Sequence, residues 1–240
     1  DKENNFIEPL AAKKHPVGDY LSLIAKLFSA NYVIPFSSFH EYQREDSIWA
    51  NRYVTPMKEY KNGIHHDITF IEPFAFINSE KDGDISSLPL KKKKLVIKKS
   101  SEFKDNWSDV LELDDKKIIK EYFDKFEELQ DKVGFINFVV GKKDYNLKMK
   151  GPMERGITFE LPRNSLVDAC KYSIFDDLLI GNFMKTQLHN LSSLYDPVIN
   201  FNNIVPKYGD NGLAYTKAEL ISYEKEYAKR MGIEYFYDLF

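Results

Sequence analysis

The sequence predicts an α/β unit followed by an α+β domain, and three observations support this fold class. A helical pattern over residues 19–28 is followed at once by a short apolar run that ends at Pro35. A second, longer helical pattern over residues 114–133 precedes three strand patterns. A turn-rich and then lysine-rich stretch separates the two parts, so we expect a domain boundary near residues 80–100.

The composition indicates one large or two small globular domains. The 240 residues are 43% hydrophobic and 30% charged, which is enough apolar material for a sizeable core. The formal net charge is −3, and without an excess of positive charge we expect neither nucleic acid nor a membrane surface as a partner. The single cysteine, Cys170, predicts a reducing, cytoplasmic environment.

The N-terminal part is predicted to contain one helix and two strands. Asp19 is a suitable cap for the helix, and its apolar residues predict one buried face: Tyr20, Leu23, Ile24, Leu27 and Phe28. Residues 32–34 predict a buried strand that ends at Pro35, and residues 68–71 predict a second strand. A helix that returns into a strand is an α/β unit.

The expected boundary region carries a strong charge pattern. Residues 79–87 are acidic and turn-rich, and residues 91–99 contain six lysines around a short apolar run. Lysines protect the exposed edge of a sheet from pairing with other chains, and this interpretation is favoured over a phosphate or acidic partner. We therefore expect domains at residues 1–90 and 100–200, with a helical tail at residues 201–240.

The second domain is predicted to contain a helix, an antiparallel meander and a further helix. Asp114 is expected to cap the first helix, whose apolar face has seven members: Ile118, Ile119, Tyr122, Phe123, Phe126, Leu129 and Val133. Three strands are predicted over residues 135–140, 145–149 and 157–161, and a loop over residues 200–212.

Two capping boxes predict the starts of later helices. Ser165 with Asp168 resembles a capping box for a helix over residues 166–172. Thr216 with Glu219 predicts the start of the last helix.

The loop after the first strand is the richest stretch in chemically active groups. Residues 36–46 combine aromatic, hydroxyl, acidic and basic side chains around His40, at the carboxyl end of a strand, where α/β proteins place their sites. A neutral imidazole can bind a metal ion or move a proton near neutral pH, and a neighbouring carboxylate such as Asp46 can orient it. A loop histidine that binds no ligand fits the same residues, and both interpretations stay open.

Two other groups carry weaker signals. His65 and His66, followed by Asp67, resemble a metal cluster, but adjacent side chains on an extended backbone point to opposite faces, so we expect at most one of them to face an ion. Asp176 and Asp177 fit an acid/base dyad, although acidic residues at a helix start gain from its dipole and need no substrate. We expect structural or solvated roles for both groups.

Several segments resemble a known family. The run over residues 15–20, the helix to Ala30 and the run over residues 31–40 are similar to the last helix, strand and loop of metallo-β-lactamase-fold hydrolases. The most similar branch contains ascorbate-phosphate-lactonase-like proteins and enzymes related to CMP-N-acetylneuraminate hydroxylase. Residues 115–190 are similar in their order of elements to a sterol-carrier-protein-2-like domain.

The resemblance implies a fold and a reaction. The first domain would be the α/β end of an αββα sandwich, with His40 matching by position the late histidine that completes the metal site in many members. One or two ions, zinc or another divalent metal, would lower the pKa of a bound water for attack on a carbonyl or phosphoryl centre. The substrate would be a sugar or nucleotide-sugar derivative, and Asp46 would be a catalytic residue that acts on it or orients a ligand.

The family's main ligand motif, His-x-His-x-Asp-His, does not occur in this sequence. The resemblance therefore implies that the chain is the carboxyl-terminal portion of a longer protein. Most metal ligands would then lie outside this chain, in an N-terminal half that is its main partner. A small-molecule substrate and a homo-oligomer are further expectations.

Two other classes of function fit the residues. The aromatic helix face and the strand over residues 135–140 could enclose an apolar cavity, which would make the second domain a non-catalytic binding module for a lipid or another hydrophobic ligand. A scaffold segment, with residues 91–99 or the tail docking a partner, is the third class.

Overall fold

The protein, described from a computed structural model, is a mixed α/β fold of two compact units. The N-terminal unit covers residues 7–98, and the C-terminal unit continues from Lys99. The residues that the structure describes are 16–36, 40–78, 84–87, 94–208 and 216–231. Within these ranges, no helix combines the length and the apolar character needed to cross a bilayer.

The N-terminal unit is built on a short parallel sheet. α1 (Val17–Leu27) leads into β1 (Tyr32–Val33), which pairs in parallel with β2 (Thr69–Phe70). The first turn of α1 approaches the chain closely at Gly18, whose N–H donates to the Asn62 carbonyl at 3.1 Å. A Cβ atom on Gly18 would lie 2.2 Å from that oxygen, so only glycine fits this contact.

The helix and both strands occur where the sequence predicts them, but the predicted burial is wrong for the strand over residues 32–34 and for the apolar face of α1. In that strand, Tyr32 and Ile34 are 58% and 40% exposed. The buried residues of α1 are small or polar: Gly18, Ser22 and Ala25. Four large apolar side chains of the predicted face are instead 56% to 77% exposed: Tyr20, Leu23, Leu27 and Phe28. Asp19 is not the cap, because the helix begins at Val17 after Pro16 and Asp19 lies within its first turn.

The rest of the N-terminal unit contains elements that the sequence did not reveal. Two 3₁₀ helices, Ile48–Tyr53 and Met57–Glu59, connect β1 to β2. β3 (Ala75–Asn78) and β4 (Asp84–Ser87) form an antiparallel hairpin. This hairpin includes part of the acidic segment, residues 79–87, that we expected to be turn-rich.

The C-terminal unit contains a four-stranded sheet with the order β6-β5-β7-β8. Its strands are β5 (Phe135–Val140), β6 (Lys143–Lys148), β7 (Gly156–Glu160) and β8 (Lys185–His189). The β5–β6 and β7–β8 pairs are antiparallel, whereas β7 runs parallel to β5 along its other edge. The sheet resembles a meander, but this parallel pair makes it mixed, because a strand pattern does not reveal which edge a strand joins.

The core of the C-terminal unit lies between this sheet and its helices. The helices are α2 (Leu113–Asp124), α3 (Glu127–Gln130), α4 (Arg163–Lys171), α5 (Phe175–Gly181), α6 (Phe201–Lys207) and α7 (Lys217–Met231). Burial of the apolar residues over 118–133 is confirmed, with six members no more than 1% exposed: Ile119, Tyr122, Phe123, Phe126, Leu129 and Val133. The single helix predicted to carry them is wrong, because α2 ends at Asp124 and α3 at Gln130. The Phe123 ring contacts the Phe138 ring of β5, with 5.3 Å between their centroids.

Two helix starts differ from the predictions. α2 is capped by Glu112 rather than Asp114, and Asp115 completes the capping box by accepting from the Glu112 N–H at 2.8 Å. α4 begins two residues before Ser165, so Ser165 is not its cap. The N–H and hydroxyl of Ser165 donate instead to the buried carboxylate of Asp105, a long-range contact that local spacing does not show.

Two described helices of the expected tail, α6 and α7, contribute to the same core. The capping box of Thr216 and Glu219 is confirmed, with bonds of 2.9 and 3.2 Å. The loop predicted for residues 200–212 is wrong where α6 forms. The expected tail, residues 201–240, contributes five buried side chains to the core of the C-terminal unit: Phe201, Ile204, Val205, Tyr208 and Leu220.

Candidate functional site

The loop predicted to carry the chemistry follows the carboxyl end of β1. Residues 37–39 lie outside the described residues, and the description resumes at His40. The His40 side chain is exposed, and its ring packs edge-on against the Tyr42 ring with 4.8 Å between the centroids. The imidazole is therefore supported by an aromatic ring while it stays accessible from solvent.

An asparagine to which the sequence assigned no role holds this loop. Asn51 lies in the 3₁₀ helix Ile48–Tyr53, and its amide bonds the main chain of Tyr42 twice. Asn51 Oδ1 accepts from the Tyr42 N–H at 2.7 Å, and Asn51 Nδ2 donates to the Tyr42 carbonyl at 2.9 Å. We call this pair of bonds the Asn51 clamp. A side-chain amide can make it because it carries a donor and an acceptor side by side.

The predicted catalytic residue Asp46 forms a bidentate ion pair with Arg44. Arg44 Nε donates to Asp46 Oδ1 at 2.7 Å, and Arg44 Nη2 donates to Asp46 Oδ2 at 3.1 Å. The two side chains are only 10% and 18% exposed, so the pair is largely desolvated and geometrically fixed. A catalytic role of Asp46 stays a prediction; in this structure its carboxylate orients Arg44.

The main chain of the same loop pairs with the end of the lysine-rich run. The Glu45 N–H donates to the Lys98 carbonyl at 2.9 Å, and the Lys98 N–H donates to the Gln43 carbonyl at 2.8 Å. Lys98 therefore uses its backbone to hold the loop. Residues 91–93 of the lysine-rich run lie outside the described residues, so its interpretation as a protected sheet edge stays a prediction.

The structure brings together three side chains that the sequence analysis kept apart. The Ile68 N–H donates to the His65 carbonyl at 3.0 Å and closes a turn before β2. The rings of His65 and His66 consequently lie together, with 4.2 Å between their centroids. Asp67 approaches both: Oδ2 lies 3.1 Å from His65 Nδ1, and Oδ1 lies 2.9 Å from His66 Nε2.

One ligand atom from each of these three residues lies within 4.8 Å of the others, so they could hold one metal ion. The expectation that His65 and His66 point to opposite faces is wrong because it assumed an extended backbone, and these residues belong to a turn. The signal that could have identified the group is the position of the His-His-Asp triplet just before a strand, where turns are common.

His40 is not a member of this group. Because β1 and β2 are parallel, their amino ends lie at one end of the sheet and their carboxyl ends at the other. His40 follows β1, whereas the His65–Asp67 segment precedes β2, so the two candidate metal-binding positions leave opposite ends of the sheet. Within the described residues, His40 is thus a single ligand, separate from a group of three.

The remaining candidates occupy structural positions in the C-terminal unit. Asp176 and Asp177 lie in the first turn of α5, as expected from the helix dipole. His189 ends β8, with its Nε2 atom 3.0 Å from Thr158 Oγ1 and its ring 5.1 Å from the Phe135 ring. Burial lowers the pKa of His189, which favours the neutral imidazole.

The aromatic side chains predicted to line a lipid cavity pack on one another. Ring centroids are 5.0 Å apart for Tyr122 and Phe126, and 5.2 Å apart for Phe123 and Phe175. These four rings are buried, and edge-to-face contacts of this kind are typical of a filled core. The lipid-binding alternative therefore stays a prediction that requires this core to open.

Comparison of the chain with protein-family models, with curated proteins and with solved structures found no match. The resemblance to metallo-β-lactamase-fold hydrolases and to a sterol-carrier-like domain thus rests on the residues alone. What function they support is argued below from their geometry.

Proposed function

We propose that the N-terminal unit is the carboxyl-terminal part of a metal-dependent hydrolase of the metallo-β-lactamase type, in which His40 is one metal ligand. The observation that carries this proposal is the uncovered apolar face of α1. In this proposal the N-terminal half of the same protein covers that face and supplies most of the ligands. The proposed substrate is a sugar or nucleotide-sugar derivative, and the proposed compartment is the cytoplasm.

The uncovered face consists of large side chains that are usually buried. Tyr20, Leu23, Leu27 and Phe28 follow the spacing of a buried helix face, yet all four are exposed. Full burial of one large apolar side chain is favourable by about 1.5–3 kcal/mol of free energy relative to its exposure to water. Tyr32 of β1 is exposed as well. Exposed apolar side chains clustered on one element are typical of an interaction site, and this proposal assigns the site to another polypeptide.

The small size of the sheet favours one kind of partner for the exposed face of α1, namely further layers of a sandwich. Among the described residues, β1 pairs with β2 only, and each of these strands has two residues. A layered α/β fold needs more strands than this to bury a helix face. In this proposal, the N-terminal half of an αββα sandwich supplies both the further strands and the second layer that cover α1.

The loop around His40 fits the edge of such a sandwich. The Asn51 clamp fixes the main chain near His40, while the imidazole remains exposed. Neutral imidazole is a preferred ligand of zinc and related ions, which supply a hydroxide near neutral pH for attack on a carbonyl or phosphoryl centre. In this proposal Asp46 is a positioning residue, because it acts by holding Arg44 within the loop.

The test uses the longer protein that this proposal requires, with its N-terminal half present, together with its His40→Ala variant. We expect the protein to contain stoichiometric zinc or another divalent metal by mass spectrometry and to hydrolyse sugar phosphate esters or lactones. His40→Ala should lower kcat by about 100-fold and reduce the metal content.

His189→Gln is the matched control, because His189 lies in the C-terminal unit, and it should leave metal content and hydrolysis unchanged. The proposal is overturned if the reading frame upstream of Asp1 encodes no metal-ligand motif, or if His40→Ala keeps full metal content and activity.

A further inference from the structure

We propose that His65, His66 and Asp67 form a binding site for a divalent transition-metal ion, distinct from the site proposed for His40. We call this segment the HHD turn. Its probe is Zn²⁺, and its ligands are two imidazole nitrogens and one carboxylate oxygen.

One potential ligand atom from each residue lies within 4.8 Å of the other two, so side-chain rotations can bring all three to one ion. The Asp67 oxygens lie 3.1 Å from His65 Nδ1 and 2.9 Å from His66 Nε2. Ligands at about 2.0–2.1 Å from zinc stand about 2.9 Å apart at a right angle and about 3.4 Å apart in a tetrahedron. An ion can therefore enter the HHD turn with small side-chain movements, while water completes its coordination.

The backbone of the HHD turn is fixed from its inner side. The buried Ser22 hydroxyl of α1 accepts from the His65 N–H at 2.9 Å and donates to the Gly63 carbonyl at 3.4 Å. Gly63 has a φ of +85°, and a Cβ atom there would lie 2.3 Å from Asp19 Oδ1. Ile68, which closes the turn, is buried. Metal binding therefore has little backbone to order, which favours affinity.

The chemistry of the donors selects the class of ion. Imidazole suits Zn²⁺, Ni²⁺ and Cu²⁺, whereas Ca²⁺ and Mg²⁺ prefer sites made entirely of oxygen. The side chains of His65, His66 and Asp67 are 37%, 82% and 66% exposed, so an ion reaches them from solvent. For three exposed ligands on a fixed turn we expect a dissociation constant for Zn²⁺ of about 1–10 µM.

The experiment is a titration of the full chain with Zn²⁺ in competition with a chromogenic chelator. We expect one equivalent to bind in the micromolar range. His66→Ala and Asp67→Asn should each weaken binding by about 10-fold or more. Both residues are exposed, so the thermal unfolding of the metal-free variants should match that of the original chain.

His189→Gln is the matched control for this site, because His189 has a structural position in the C-terminal unit, and it should leave the Zn²⁺ affinity unchanged. His40→Ala serves a different purpose, which is to separate this site from the one proposed for His40. If His40→Ala abolished hydrolysis in the longer protein but left this titration intact, the two proposals would be shown to be independent. Failure of one therefore does not imply failure of the other.

A second readout counts the histidine ligands. With one equivalent of Cu²⁺, electron paramagnetic resonance should show coupling to two imidazole nitrogens, and to one in His66→Ala. The site is rejected if Zn²⁺ binds more weakly than about 100 µM. It is equally rejected if His66→Ala and Asp67→Asn bind Zn²⁺ as tightly as the original chain.

Discussion

The Asn51 side chain determines how firmly the segment beyond His40 is held. Its two bonds to Tyr42 satisfy both polar groups of one residue in a loop that is partly buried. A typical internal hydrogen bond contributes about 0.5–1.5 kcal/mol, and a buried group left without its bond costs more. The position of His40 therefore depends on a residue eleven positions away in the chain.

Asn51→Ala should release this loop. We expect a loss of about 1–3 kcal/mol in the unfolding free energy, because both polar groups of Tyr42 lose their bonds. Hydrogen exchange of the Tyr42 N–H should become at least about 10-fold faster. Gln43→Ala is the control, since the Gln43 side chain is exposed, and equal protection in the two variants would contradict the role of the clamp.

Asp115 contributes to stability in a pH-dependent way. Burial alone raises the pKa of Asp115, but hydrogen bonds from Arg163 and the Glu112 N–H, with the charge of Arg163, outweigh it and hold the pKa below its ordinary value. A carboxyl group whose pKa is lowered by folding stabilises the folded state at pH values above its pKa in the unfolded chain, which is about 4. That stability is lost as the pH falls through the folded-state value.

Asp115→Asn should therefore destabilise the C-terminal unit at pH 7, by about 1–3 kcal/mol. The difference from the original chain should shrink as the pH falls below ~4, where the original carboxyl becomes protonated. Urea unfolding at several pH values measures this. Asp114→Asn, at the exposed neighbouring position, should show neither effect, and a constant difference at all pH values would contradict the assignment.

The candidate residues differ in how well the sequence predicts them, because some are marked by local composition and others depend on contacts or on the backbone conformation. His40 and Asp46 stand in a segment whose composition alone is unusual. Asn51 acts across a loop, and the HHD turn depends on a local backbone bend. Neither feature has a periodic pattern: the contact of Asn51 with Tyr42 has no local signal, and the only sequence signal of the HHD turn is the His-His-Asp triplet just before a strand.

At the scale of elements, an apolar helix pattern predicts which face should be covered but not what covers it. α1 and α2 show the same three-and-four spacing. The face of α2 packs within the C-terminal unit, whereas that of α1 stays exposed. The spacing therefore predicts a helix correctly in both segments. The predicted burial is wrong for α1, because burial depends on other parts of the fold.

The β5–β6 hairpin offers a test at this scale. Gly141 and Lys142 both have positive φ values, 59° and 63°, as in the two-residue turn that suits the twist of a hairpin. A Cβ atom on Gly141 would also lie 2.5 Å from the Asp109 carbonyl. Gly141→Ala should cost about 2 kcal/mol or more, because strain and a backbone clash combine.

Lys142→Gly is the matched control in the same turn. Glycine adopts the left-handed backbone of this position without strain, which stabilises the folded state. Glycine also raises the conformational entropy of the unfolded chain, which opposes this gain, so the unfolding free energy should change by less than about 1 kcal/mol. Chemical unfolding compares the two variants, and equal losses would show that this turn geometry is not what holds the hairpin.

At the scale of the whole molecule, the sequence predicted a mixed α/β architecture and most strand positions. It did not predict the parallel β5–β7 pair or the membership of α6 in the core, since both depend on contacts between distant segments. The exposed apolar face of α1 also bears on the association state of the chain. Because burial of this face is favourable, we expect the isolated chain to self-associate.

Leu23→Glu with Leu27→Glu should make the isolated chain less prone to associate, as measured by light scattering across a concentration series. In the proposed longer protein the same variant should lose stability, because the proposal buries these positions against an N-terminal half. Ser29→Glu, also exposed but in the turn after α1, is the control. Equal association of the variant and the original chain would argue against an interface on α1.

The most direct test of the central claim is to count histidine ligands by X-ray absorption at the zinc edge in the longer protein that the hydrolase proposal requires. The measurement is made in a His66→Ala background, which removes the HHD turn as a competing site. His40→Ala in that background should lower the number of histidine ligands by one and weaken the binding of the metal ion. An unchanged ligand count and an unchanged metal content would show that His40 does not bind the metal and would contradict the hydrolase proposal.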